Sequence, residues 1–289
     1  MRNLLLKFGV VQPSQSRVTR TYDVPMLSTR SWPLAFGRKV EAWAVPWWRI
    51  VHLGLLVLAL IVSKSSYRMP RRRRVARQVV AATAPVLLWF TAFSALASIV
   101  ITRIVLVTAV SYGLSQYALE MVVRVLVVEL MPLTACLFVA LRWSIPAGAE
   151  LAAMRRSGEL DGLRAAGMDA LRDEIMPRAV AGIFATSMLV MVSGVLCLVI
   201  AYVMAHGLSP WGFEAYTRMV GRVFTPTVTL ILVLKSLALT LAVTLIPIGS
   251  ALHDRAAARG PAGTELAGMA RLSAVVLLVE VASLAGNYF

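Results

Sequence analysis

Residues 79–102 read VVAATAPVLLWFTAFSALASIVIT, a run without one charged side chain. As a helix rising about 1.5 Å per residue it is about 36 Å long, enough to cross a bilayer core of about 30 Å. Comparable runs follow near 119–141, 179–205, 223–250 and 272–288, so the sequence predicts an all-α, polytopic membrane protein with five transmembrane helices. Composition agrees. The 289 residues are 59% hydrophobic and 15% charged, where soluble domains carry about 25% charge, and the mean hydropathy is +0.77. Spans and loops consume the chain and leave no room for a soluble catalytic domain.

Charge is distributed unevenly along this frame. Of 29 Lys and Arg, 15 fall within residues 1–78, including Arg71, Arg72, Arg73 and Arg74. A nucleic-acid arm has such a charge, but a hydrophobic chain follows at once, which favours anionic lipid headgroups and no nucleic acid. No small-residue cleavage site follows a charged, apolar leader, so no signal peptide is expected. Residues 143–178 carry Arg155, Arg156, Arg164, Arg172 and Arg178, and the connection after span four carries Arg255, Arg259 and Arg271. The intervening 103–118 and 206–222 segments are poor in cations. The positive-inside rule therefore puts residues 1–78, 142–178 and 251–271, and with them the N-terminus, in the cytoplasm, and the C-terminus outside.

Three regions precede or interrupt the spans: a basic extension over 1–42, an interfacial helix with a polybasic linker over 43–78, and the membrane domain over 79–289. The stretch Ala42–Ser63 is apolar, yet Arg30, Arg38 and Lys39 precede it and Lys64, Arg68 and the four arginines follow. Cations on both flanks favour lying along the cytoplasmic interface over crossing. Trp43, Trp47 and Trp48 suit the headgroup region, with Arg49 snorkelling outward. Crossing is the alternative.

Ionisable groups inside spans are costly, about 2.5–3.5 kcal/mol each at a helix centre, so they find partners or line wet cavities. Glu129 lies mid-span in the second run, Lys235 in the middle of the fourth and Glu280 deep in the fifth. Two readings are open: a structural ion pair of Lys235 with Glu129 or Glu280, or a polar lining for a headgroup or proton. Glu120 and Arg124, four residues apart, are expected to pair with each other. Cys136 and Cys197 sit in apolar runs and form neither a C-x-x-C site nor a disulfide framework. His52, His206 and His253 lie on different segments, and no H-E-x-x-H motif occurs, so neither a metal nor a catalytic centre is expected.

The 143–178 connection is the most informative part. It reads AELAAMRRSGELDGLRAAGMDALRDEIMPR over 149–178 and holds six of the chain's 14 acids. Helix formers dominate up to Ala166, with Gly167 as a C-terminal stop. Leu160, Leu163 and Gly167 give a short apolar edge beside Glu159, Asp161 and Arg164, as in helices that dock into a partner's groove.

Here the sequence resembles the MlaE-type permeases, the membrane subunits of ABC transporters that move lipids together with MCE-domain proteins. Glu150, Leu151, Met154, Leu160, Asp161, Leu163, Gly167, Asp169, Pro177 and Arg178 stand at the places of that family's pattern E-[IL]-x-x-M-x-x-x-E-Q-[IL]-D-A-[LM]-x-x-x-G-x-[DN]-P followed by P-R. Glu129-Leu130-Met131-Pro132 is similar to its R-E-L-G-P, Lys235-Ser236 to its K-S pair, and Gly260 with Glu280 to its glycine-rich loop and final-span acid. Gly158, Ala170 and Val128 depart from the pattern. The resemblance implies a permease of a bacterial inner membrane, paired with a second copy or a paralogue, with an MCE-domain protein on the far side. It also implies a cytoplasmic coupling helix between spans two and three. There Glu150, Met154, Arg155, Glu159, Leu160, Asp161, Leu163, Arg164 and Gly167 would meet an ABC ATPase. The lipid path would have its walls at span one, the 103–118 elbow with Tyr112, and span two, and its polar groups would be Tyr112, Arg124, Glu129, Lys235 and Glu280. No G-x-x-x-x-G-K-[ST] loop occurs in the chain, so ATP and its Mg ion would be handled by that separate chain. A non-transporting subunit of the same assembly and a proton-coupled transporter are the alternatives.

Overall fold

A computed structural model describes residues 32–63, 69, 71–253 and 261–288. Expectations placed on Arg30, Lys64, Arg68, Arg255, Arg259, Gly260, most of the 1–42 extension, and the side chains of Arg38, Lys39, Trp43 and His253 lie outside the described residues. The chain divides into two compact units, Met1–Ala42 and Trp43–Phe289; of the first, the described part is helical. Among the described residues every regular element is a helix. In chain order these are α1 (Trp32–Val62), α2 (Arg71–Ser111), α3 (Ser115–Val123), α4 (Met131–Val139), α5 (Ile145–Arg156), α6 (Glu159–Ala165), α7 (Met176–His206), α8 (Phe213–Val223), α9 (Pro226–His253) and α10 (Pro261–Tyr288).

Five helices are long and apolar enough to cross a membrane: Arg71–Ser111, Tyr117–Arg156, Leu171–His206, Pro226–Leu252 and Leu266–Asn287. The protein is an all-helical, multi-pass membrane protein. Within α1 only Trp47–Val62 is apolar, too short to count among them. Ile50, Leu53, Gly54 and Val57 of this stretch face inward while Trp48, Val51, Leu55 and Val62 are exposed.

Spans two and three are not uniform α-helix. Wide π turns occupy Arg124–Leu130, Ala140–Ser144 and Leu171–Ile175. Each closes on an N–H that reaches back five residues: Met131 to Leu126, Ile145 to Ala140, Met176 to Leu171. A proline stands two residues past the end of each, Pro132, Pro146 or Pro177. The physical cause is the proline ring, which lacks an N–H and clashes with the carbonyl four residues back; widening that turn relieves the clash.

Packing uses small side chains, because lipid and protein core are equally apolar and helices in a bilayer associate through close fit. The most extensive contact joins α2 and α7. Buried residues recur every fourth position on both, from Ala82 through Val86, Phe90, Ser94 and Ser98 to Thr102, and from Ala181 through Ala185, Leu189, Ser193 and Cys197 to Ala201. Such stripes are the ridges of i±4 packing. Gly182 lets α7 close on α9, since a Cβ there would lie 2.9 Å from Thr244 Cγ2. Gly182→Val is therefore expected to lower stability by about 1–3 kcal/mol, read as a lower melting temperature in detergent.

The two ends of the bundle differ. At one, Arg71 Nε donates to Asp173 Oδ1 at 2.6 Å and Arg74 Nη1 to Glu174 Oε1 at 3.0 Å. The four arginines are thus the first turn of α2 rather than a linker. Cations at a helix N-terminus oppose its dipole, and the two carboxylates from the 143–178 connection offset that repulsion. Leu53 and Val57 of α1 join Leu151, Ile175, Ile248 and Ala251 in one apolar cluster at this basic end. At the distal end α8 lies against span three with Tyr216, Met219 and Val223 buried. The Tyr216 hydroxyl donates to the Leu198 carbonyl at 2.8 Å; burial pushes its phenol up to about 12, with the Cys197 thiol adding to the shift.

Candidate functional site

Three spans deliver one charged group each to a single point inside the bundle. The wide turn of span two presents Glu129, α9 presents Lys235 about 14 Å in from Pro226, and α10 presents Glu280. Lys235 Nζ bonds Glu129 Oε2 and lies 2.6 Å from Glu280 Oε2. Asn287 Nδ2 donates to Glu129 Oε1 at 3.0 Å. The Lys235 side chain is 1% exposed and the carboxylates 14% and 16%. Lysine therefore serves both acids at once, where the sequence offered one or the other. Two acceptors stay over: Glu280 Oε1 and Asn287 Oδ1 are buried without a hydrogen-bond partner among the described residues. The cluster cross-braces spans two, four and five.

Two grooves open beside the spans. One of about 450 Å³ runs between spans three and four, walled by Val190, Met191, Val195, Leu232, Val233 and Leu237 and floored by Val127, with Ser187, Ser236 and Thr240 as its polar groups. Ser236 follows the cluster lysine directly. The other, of about 570 Å³, lies at the distal end between Arg103, Val107 and Val110 of span one, Leu119 of span two, and Met204 with His206 of span three. The second occupies the elbow region expected from sequence, although Tyr112, 77% exposed in the turn after α2, does not line it. Arg124 opens the first wide turn, one turn after Glu120, and both are half-buried.

At the basic end the 143–178 connection is not one helix from Glu150 to Gly167. It breaks at Gly158, whose φ of +75° ends α5 and starts α6. A glycine reaches that left-handed conformation without the penalty a Cβ brings. The helical pattern of neighbouring residues hides such a break. Gly167, also at φ +75°, ends α6: its N–H reaches Arg164 and the Met168 N–H reaches Leu163, both at 3.0 Å. This stop is where the sequence placed it.

The short α6 turns Leu160 inward, 6% exposed, and leaves Leu163 half-buried. The outward face carries Glu159, Asp161 and Arg164, the last two paired at 3.3 Å. In this arrangement Leu160 anchors α6 to the protein, and charge rather than an apolar edge is presented. Arg155 is exposed.

One group missed as a candidate organises the connection. Arg178 is 8% exposed and sits at the start of span three. Its Nη1 donates to Glu174 Oε2 at 2.6 Å and to the Glu174 carbonyl at 3.0 Å, and its Nη2 lies 3.6 Å from Glu150 Oε2 and 4.0 Å from Met154 Sδ. Trp143 Nε1 donates to the Arg178 carbonyl at 3.4 Å. Glu150, Met154 and Arg178, spread over 29 residues, thus form one clasp, extended through Glu174 and Asp173 to Arg74 and Arg71. The sequence signal of Arg178 was its place in the P-R that closes the family pattern, Pro177-Arg178, which assigns it no contact.

A helical bundle that holds a charge cluster among its spans and a clasped, charged connection at one end has the build of a membrane permease. The chain belongs to the MlaE permease family: the family model described as Permease MlaE matches residues 75–285, which takes in the cluster lysine and acids and the whole connection. Family membership makes it a transport subunit rather than an enzyme. The match begins inside α2 and so leaves out α1, which the sequence resemblance had included. A comparison with curated proteins finds no match.

Proposed function

We propose that this chain is the permease subunit of an ABC transporter that moves phospholipid or another hydrophobic substrate in a bacterial inner membrane. A separate ATPase docks at α6, an MCE-domain protein stands at the distal end, and a second copy or paralogue completes the permease. The observation that carries the reading is the family match together with a short charged helix held off the basic end. That end collects residues 71–78 and 142–178, the cation-rich segments that the positive-inside rule assigns to the cytoplasm; the C-terminus would then lie outside.

Force would travel by two routes. α6 is joined to α5, the last part of the helix that forms span two, and Arg178 ties α5 in turn to the start of span three. Nucleotide-driven closure of the ATPase would push α6 and tilt both spans together. The spans border both grooves, so their movement changes access to the apolar walls on which an acyl chain would lie. The unsatisfied oxygens beside Lys235 suit a polar headgroup.

Glu159→Lys with Asp161→Lys tests the docking. Both side chains are exposed, and an exposed ion pair contributes under about 1 kcal/mol, so folding and membrane insertion are expected to persist. A co-expressed ATPase should no longer co-purify. Undiminished co-purification refutes the docking site. A second reading, a partner subunit that binds no ATPase itself, is favoured by the break at Gly158, which stands where the family pattern has a glutamate; it predicts no co-purification even for the unmodified chain.

A further inference from the structure

Beneath α6 lies a cavity of about 360 Å³, floored by Leu53 of α1, Leu160, Ile175 and Leu252. Its mouth carries Arg155, Arg164 and Asp161. Asp161 is spent on Arg164 at 3.3 Å, and Arg155 has no ion-pair partner among the described residues, so the mouth holds one cation in excess. On the other face of α1, Val51 and Leu55 are exposed. Apolar side chains facing outward at this level belong in a bilayer and not in water. A greasy floor and a cationic mouth at membrane depth match one kind of molecule.

We propose that this cavity holds an anionic phospholipid of the adjacent leaflet, one acyl chain on the leucine floor and the phosphate at Arg155. The lipid fills the space between α1, the end of α9 and α6. It sets how far α6 stands from the membrane; only this consequence rests on the ATPase-docking reading.

Full-length protein purified in detergent is offered phosphatidylglycerol or phosphatidylcholine, and retained lipid is counted by native mass spectrometry. The unmodified chain is expected to retain phosphatidylglycerol preferentially. Arg155→Gln, at an exposed position, should reduce that retention about fivefold, the worth of one cation near an anionic surface. Ala170→Leu, which places bulk in the cavity from a lining position that is 4% exposed, should reduce it with both arginines intact. Arg72→Gln with Arg73→Gln, exposed cations at the same end, should leave it unchanged. The proposal is overturned if Arg155→Gln retains phosphatidylglycerol fully, if the Arg72 and Arg73 variant loses as much, or if inorganic phosphate displaces the lipid. No ATPase is present in this assay, so failure of ATPase docking leaves its outcome intact.

Discussion

Lys235→Met is expected to unfold a large fraction of the protein. The substitution keeps the apolar stem and removes the ammonium between Glu129 and Glu280, leaving two carboxylates face to face in a site where the lysine is 1% exposed. Breaking a buried pair by removing one partner costs about 3–5 kcal/mol, close to the whole stability of many domains. Removing both acids with the lysine is different. A Lys235→Met, Glu129→Gln, Glu280→Gln variant has no uncompensated charge and is expected to recover most of the loss, which makes the effect strongly non-additive. Yield of folded protein and melting temperature in detergent report both. If Lys235→Met melted like the unmodified protein, the cluster would not be a brace.

Arg178→Ala is the second large effect. The guanidinium serves Glu174 twice, approaches Glu150 and lies on Met154, so truncation at a position that is 8% exposed leaves Glu174 held, among the described residues, by Arg74 alone and removes the partner facing Glu150 and Met154. A loss of about 2–4 kcal/mol is expected from the broken charge-assisted bonds. Arg178→Lys should rescue little, since a single ammonium lacks the two fixed nitrogens by which Arg178 reaches Glu174 from Nη1 and faces Glu150 and Met154 from Nη2. The sharper readout is functional. With the clasp gone, α5, which carries α6, is no longer tied to span three, and stimulation of a bound ATPase by the permease is expected to fall more than ATPase co-purification does. Equal losses would mean that Arg178 only stabilises the fold.

The five spans were legible because twenty-odd apolar residues in a row have one economical solution in a bilayer. Gly167 was legible as a stop because a glycine after a helical run has a local meaning. Gly158 was not, since the cost of a glycine within a helix and its ease in the left-handed conformation leave the same trace in sequence. The inward turn of Leu160 was hidden for another reason: periodicity finds an apolar edge but does not say whether the chain's own core or a partner covers it. Among the site residues, Glu129, Lys235 and Glu280 announced themselves as charges in an apolar setting. Asn287 did not, because a polar group near the end of a run is ordinary there and its partner lies 158 residues away; Arg178 was legible as part of a pattern but not as a clasp, since Glu150 lies beyond a helix break. The groove between spans three and four was unreadable, as lipid-facing and cavity-facing leucines are chemically alike.

The proline-linked wide turns carry a last consequence. Each extra residue absorbed in a helix rotates everything after it by about 100°, so spans two and three act like rods cut with a screw thread. One such notch sits at Glu129 and another just ahead of α5. The angular setting of the cluster acid and that of α5 with α6 are thereby adjusted separately along the same rod. If α6 docks an ATPase as proposed, shifting one notch would re-aim it toward a different motor without disturbing the charges held among the spans.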